Sequence, residues 1–237
     1  MDFGRIIPWI TDDKDWLIKL ALAALVTAFS ILTTPILIGL AGWAVLLGYM
    51  AQTIRRVRLN DPTPLPPWDD FVALAKLGGP ALLAFIVYLL PNLLVAGCSL
   101  LLVLTTSDTS FTSTGVMLGV LCCMMPLLFV YNILIAPLFA LGLGRYAKEP
   151  VVGVFFDFSR LWSEMSARWG LTITFLLVLL AFSLIIGLIG AIPCLGWIIA
   201  LALNVPVYGL IVGQYALAIQ GPIELPKRKS ESSRRPA

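Results

Sequence analysis

Between Trp16 and Gln52 the chain is apolar, broken by Lys19 and a few hydroxyls. As one helix this stretch would run about 55 Å, against a hydrocarbon slab of about 30 Å, so it must fold back on itself. The turn is placed at Thr33-Thr34-Pro35, because proline suits the first turn of a new helix and disfavours helix in the residue before it. This gives a first span near 16–32 and a second near 35–54, with Lys19 close enough to the end to carry its ammonium to the interface. The same reading puts a third span at 80–105, kinked at Pro91, and a fourth at 115–144 carrying Pro126 and Pro137, with the polar turn TSDTSFTSTG between them. A fifth span at 170–191 and a sixth at 195–219 are joined at Ile192, Pro193 and Cys194. The predicted fold class is all-α: a polytopic integral membrane protein with six transmembrane helices in three hairpins over residues 1–220. A disordered basic tail follows at 221–237.

Two segments between spans show a helical division of apolar and polar positions. In VVGVFFDFSRLWSEMSARW, Phe158, Leu161, Trp162, Met165 and Trp169 fall on one stripe, and Asp157, Arg160, Glu164 and Arg168 on the other, with favourable i,i+4 charge pairs. In PPWDDFVALAKLGG, Trp68, Phe71, Val72 and Ala75 form one face and Asp69, Ala73 and Lys76 the opposite one. There Pro67 suits the first turn and the aspartates oppose the helix dipole. Both are expected to be interfacial amphipathic helices lying flat in the inner headgroup layer.

Composition agrees: 59% of residues are hydrophobic and 12% charged, against about 45–50% and about 25% in an ordinary soluble domain. Mean hydropathy is +0.97. The net charge of +3 is small but localised. Every lysine and arginine lies before the first span, at its start (Lys19), between spans two and three, between four and five, or in the tail; the three opposite turns carry none. The positive-inside rule then places both termini and the RRVRLNDPTPLPPWDDF segment in the cytoplasm. The expected partners are the lipid bilayer, with anionic headgroups or another membrane protein, and no nucleic acid. The acidic N-terminal segment lacks the pattern of a cleaved signal peptide and reads as a retained signal anchor.

The punctuation repeats weakly. Each hairpin is preceded by an acidic-aromatic pair (Asp15-Trp16, Asp70-Phe71, Asp157-Phe158) and closes on glycine and tyrosine (Gly48-Tyr49, Gly144-Arg145-Tyr146, Gly213-Gln214-Tyr215). Duplication and the general abundance of glycine and interfacial tyrosine in spans both account for this. The pairs Gly39, Gly42 and Gly187, Gly190 read as helix-packing devices.

Candidate chemistry is sparse. The chain has no histidine, which removes the commonest general base and neutral metal ligand. Cys98, Cys122, Cys123 and Cys194 lie in apolar surroundings without metal-ligand spacing and read as small buried hydrophobes; a bridge from Cys98 to the Cys122/Cys123 pair is geometrically open. No Asp, Glu, Lys or Arg lies mid-span, which disfavours proton relays and intramembrane hydrolysis. Asp69 and Asp70 read as helix caps before they read as cation ligands. The polar positions at depth are Asn92 beside Pro91, Asn132 before Pro137 and Asn204 before Pro206, which either tie helices together or line a solute path.

Around Gly48 to Phe71 the chain resembles an uncharacterised family of prokaryotic polytopic membrane proteins, classed as a domain of unknown function. The shared features are a Gly-Tyr span end (Gly48, Tyr49), a basic patch (Arg55, Arg56), then Leu65, Pro66, Trp68, Asp69 and Asp70, and a short helix ending at Gly78. Pro67 stands where the family carries an acidic residue. The resemblance implies a six-span, multi-pass fold in a prokaryotic cell (inner) membrane and supplies no activity. The reading is a non-enzymatic membrane or partner-interaction module without cofactor; the alternative is a small-solute transporter or transporter subunit with Asn92, Asn132 and Asn204 near its path.

Overall fold

A computed structural model describes Gly4 and residues 6–105, 111–193 and 195–224, with backbone alone at 102–105, 111–118, 120, 121 and 123. The expectations for the tail beyond residue 224, for the turn at 106–110 and for the side chains of Cys123 and Cys194 lie outside the described residues. The elements are α1 (Ile6–Thr11), α2 (Trp16–Thr33), α3 (Gly39–Arg58), α4 (Phe71–Thr105), α5 (Phe111–Lys148), α6 (Phe158–Ala167), α7 (Trp169–Gly190) and α8 (Leu195–Gln220). Among the described residues there is no strand.

Five helices, α2, α4, α5, α7 and α8, are long and apolar enough to cross a membrane. The expected second span, α3, is not among them, because its last third carries Gln52, Arg55, Arg56 and Arg58. Yet α3 is the most enclosed helix of the fold, buried along most of its length from Gly42 to Arg58.

The first hairpin turns where proline placed it. Pro35 sits in a 3₁₀ turn, Thr34–Ile36, and Leu37 then adopts a left-handed conformation with φ 64°, its N–H donating to Thr34 O at 2.9 Å. A bulky residue at positive φ interrupts the helix, so α3 starts at Gly39 and not at 35. Beyond the turn the helices touch closely: a Cβ on Gly42 would lie 2.0 Å from Ser30 Oγ.

The segment expected to lie flat before the third span does not form a separate helix; it is the first turns of α4, which runs unbroken through Pro80 and Pro91. Packing overrides the glycine-proline punctuation. Gly78 brings the α4 backbone against α3, where a Cβ would come 1.7 Å from Ala44 O, and Gly48 of α3 is as tightly faced by Leu74 O. The other entry segment does form its own helix, α6, with Leu161 and Met165 buried and Phe158 and Trp162 exposed.

The three helices that close the hairpins, α3, α5 and α8, contact one another and form the core. Each opening helix packs on its own partner and on the closing helix of the preceding hairpin: α4 on α5 and α3, α7 on α8 and α5, and α2 on α3 and α8. The same cyclic relation therefore occurs three times. The inner helices meet through small residues: a Cβ on Gly213 would lie 2.9 Å from that of Val57, and one on Gly144 would lie 2.6 Å from that of Ala216. Gly187 faces open space, so it is not a packing device in this fold. Large apolar side chains on the opening helices point outward, Leu25, Leu83 and Leu177 among them.

Candidate functional site

The charged ends of the helices meet at one end of the bundle. Arg58, the last residue of α3, is 3% exposed and donates from Nη1 to Gly144 O at 2.5 Å and to Gln220 Oε1 at 3.1 Å, and from Nε to Gly221 O at 3.0 Å. Gly221 makes the last of these possible. Its φ of 77° turns the chain at the end of α8, a conformation glycine adopts without steric cost, and Ile223 N–H then reaches Arg58 O at 3.0 Å. Burial lowers the Arg58 guanidinium below its ordinary pKa, while Glu164 opposes that shift.

Gln220 extends the network. Its amide nitrogen donates to Leu141 O at 2.9 Å and to Glu164 Oε2 at 3.0 Å. The other Glu164 oxygen accepts from Arg145, whose guanidinium also lies 3.6 Å from Asp157. Asp157 caps α6 by accepting the Arg160 N–H at 3.3 Å, and Arg168 donates to Ala218 O. Three inner helices and α6 are thus joined through a single set of charge-assisted bonds, stronger individually than bonds between neutral groups.

A cavity of about 340 Å³ opens beside this network, with Arg58, Arg145, Lys148, Arg160, Glu149 and Glu164 on its wall. A second cavity of about 340 Å³ lies on the other side of Lys148, which lines both, and is faced by Arg55, Arg56 and Asp61. Among the described residues neither Lys148 nor Arg160 forms an ion pair. Sequence reading used Arg58 and Lys148 only as topology markers, and the i,i+4 charge pairs it expected for Glu164 with Arg160 and Arg168 do not form among the described residues, because Arg145 and Gln220 take both Glu164 oxygens. The signal that could have drawn attention to Arg58 was the Gln220-Gly221 helix end, but their meeting across the fold has no local signature.

The predicted interfacial motif separates into fixed and free members. Trp68 is buried, stacked on Tyr49 with ring centroids 4.3 Å apart and planes 15° apart, and its indole N–H donates to Lys19 O at 3.2 Å. Lys19 pairs with Asp13 at 2.5 Å and donates to Leu65 O at 2.9 Å. Arg56 donates to Thr63 O and Leu65 O, each at 3.3 Å. Asp70 caps α4, accepting the Ala73 N–H at 2.8 Å. Asp69 and Arg55 remain exposed.

Of the three asparagines, two come together. Asn92 of α4 and Asn132 of α5 exchange amide hydrogen bonds at 3.2 and 3.0 Å, and Asn132 also donates to Leu128 O at 2.7 Å. Asn204 is exposed on α8 and bonds to neither among the described residues. Cys98 and Cys122 are free thiols and exposed, so the expectation that they are buried does not hold for them. Among the described residues no group of Cys, Asp or Glu is placed to hold a metal ion.

Comparison with curated proteins and with solved structures gives no match. Over residues 28–195, most of its length, the sequence matches the family described as protein of unknown function (DUF4013), and the chain belongs to that family.

Proposed function

We propose that this chain is a non-enzymatic, six-span protein of a prokaryotic inner membrane whose charged end faces the cytoplasm and engages anionic headgroups or a membrane partner there. The observation that carries it is the bond from Lys19 to Leu65 O at 2.9 Å. Lys19 stands in the first turns of α2, and Leu65 follows the end of α3 by seven positions. If α2 crosses the bilayer, α3 must return across the same depth. Its modest apolarity is no obstacle, since a helix enclosed by other helices needs no lipid-facing surface. An even number of crossings then leaves all the cation-rich loops on one side, which the positive-inside rule assigns to the cytoplasm.

The exposed aromatic residues Phe158, Trp162 and Trp169 beside the charged end suit the headgroup layer, where amphipathic aromatic rings are favoured. A non-catalytic role is supported by the state of Glu164, the carboxylate nearest the centre of the network: both of its oxygens are engaged, by Arg145 and Gln220. A carboxylate held from both sides by a guanidinium and an amide serves to join helices, which is what a structural clasp requires.

The test is a set of reporter insertions in the full chain, using a phosphatase active only outside the cytoplasm. Insertions at Leu37 and Ile192 are expected to be active, and insertions at Asp61 and Gly153 inactive. Activity at Asp61 would mean that α3 does not return, and the six-span reading would fall.

A further inference from the structure

We infer that the cavity beside Arg58 is a binding site for a phosphoryl anion, held by Arg58, Lys148 and Arg160. The argument begins with charge. Four cationic and two carboxylate side chains face this cavity, and one carboxylate, Glu164, is already committed to Arg145. Arg58 is held by neutral acceptors alone, two backbone carbonyls and an amide oxygen. Buried charges are ordinarily paired, so a guanidinium fixed in place by uncharged groups leaves its field directed at the adjoining space.

Lys148 and Arg160 add two further cations from α5 and α6, neither with a carboxylate partner among the described residues. Their separate origins matter. The three cations stand on three different elements, α3, α5 and α6, and an anion between them would add a second link beside the one that Glu164 already makes from α6 to Arg145 of α5. A phosphoryl group suits this set best: its oxygens accept several charge-assisted bonds at once, the Arg160 guanidinium matches its geometry with parallel N–H donors, and Arg58, whose Nε and Nη1 are engaged, keeps Nη2 for it. A volume of about 340 Å³ accommodates a phosphate with a small polar substituent, at the lower end of ordinary ligand pockets, which run from about 300 Å³.

The neighbouring cavity repeats the chemistry. Arg55 and Arg56 face it against the single carboxylate of Asp61, and Lys148 stands on the wall of both cavities. Lys148 is thereby the residue whose removal affects the whole basic surface. The inference rests on the proposed function in one respect: at the end of the membrane spans, the most abundant phosphoryl groups belong to lipid headgroups, and basic pockets between spans are known to take them. A soluble phosphate compound offers the same group from the aqueous side.

The full chain, purified in detergent, is compared with Lys148→Ala/Arg160→Ala. Both altered residues are exposed and outside the network that joins the helices, so the variant keeps its fold, which its thermal midpoint verifies. One arm reconstitutes each protein in mixed phosphatidylglycerol and phosphatidylcholine and measures retained lipid by native mass spectrometry. The other titrates inorganic phosphate and pyrophosphate in detergent and follows the thermal midpoint.

Selective retention of phosphatidylglycerol by the parent chain, reduced about ten-fold or more in the variant, supports the site with a lipid as its source. Saturable stabilisation by phosphate or pyrophosphate, lost in the variant, supports it with a soluble source. No selective retention and no stabilisation of the parent chain, or equal responses in both proteins, overturns it. Neither arm depends on which way the chain inserts in a cell, so the inference and the proposed topology can fail independently.

Discussion

Arg58 and Gln220, 162 positions apart in sequence, meet through a hydrogen bond of 3.1 Å that clasps the end of α3 to the end of α8. Removing the guanidinium strands this acceptor together with the carbonyls of Gly144 and Gly221. Arg58→Ala is therefore expected to cost about 3 kcal/mol, lowering the thermal midpoint by roughly 6–12 °C for a chain of this size. Arg58→Lys should recover little, since an ammonium cannot span the acceptors as a planar fork does. Equal midpoints for all three proteins in detergent would contradict the clasp.

Gly78 and Gly79 are adjacent but face different surroundings. A methyl on Gly78 would meet Ala44 O at 1.7 Å, whereas nothing lies within 4 Å of the same position on Gly79. Gly78→Ala should force α3 and α4 apart at a cost of about 1–3 kcal/mol or more. Gly79→Ala should be neutral, or stabilising by about 0.5–1 kcal/mol through helix propensity. Thermal unfolding of the two variants side by side measures the contrast, and a loss of equal size in both would show that the helix crossing is not where the strain arises.

The three buried tyrosines of the inner helices differ in what their hydroxyls do. Tyr146 donates to Leu77 O at 2.6 Å, and Tyr215 is 2.9 Å from Thr172 Oγ1. The Tyr49 hydroxyl is buried with no partner among the described residues. Phenylalanine at 146 or 215 is expected to lose about 1 kcal/mol, while Tyr49→Phe should be neutral or slightly stabilising, because it removes an unsatisfied polar atom. The ordering of three midpoints is the readout; a Tyr49→Phe variant less stable than the other two would reverse it.

Apolar runs of lipid scale are local signals, and long helices lie on them. The expected fifth and sixth spans differ from α7 and α8 by one residue at most at each end. The proline turn at Thr34–Ile36 was legible for the same reason. The flat helix expected in PPWDDFVALAKLGG is not a separate element, because the Gly78 contact with Ala44 belongs to another helix and leaves no mark on its own neighbours in sequence. Trp68 shows the limit in a second way. An amphipathic pattern states that a residue seeks an apolar environment, but not whether lipid or Tyr49 supplies it.

The basic network was the least legible part. Arg58, Arg145 and Lys148 fit the charge bias of an inward-facing loop, and nothing in their local sequence separates a topology marker from a buried clasp. That distinction depends on Gln220 and Glu164, which reach Arg58 and Arg145 only after three hairpins have packed.

The cyclic packing of the hairpins has a consequence for synthesis. The face of α3 formed by Met50, Thr53 and Val57 receives Gly209 and Gly213, and α2 also leans on α8. A ribosome delivers α8 after α2 and α3, so this surface of the first hairpin stays uncovered until α8 has been made. A transcript cut short before Leu195 lacks α8 and yields a product that quality control can recognise by the face left bare.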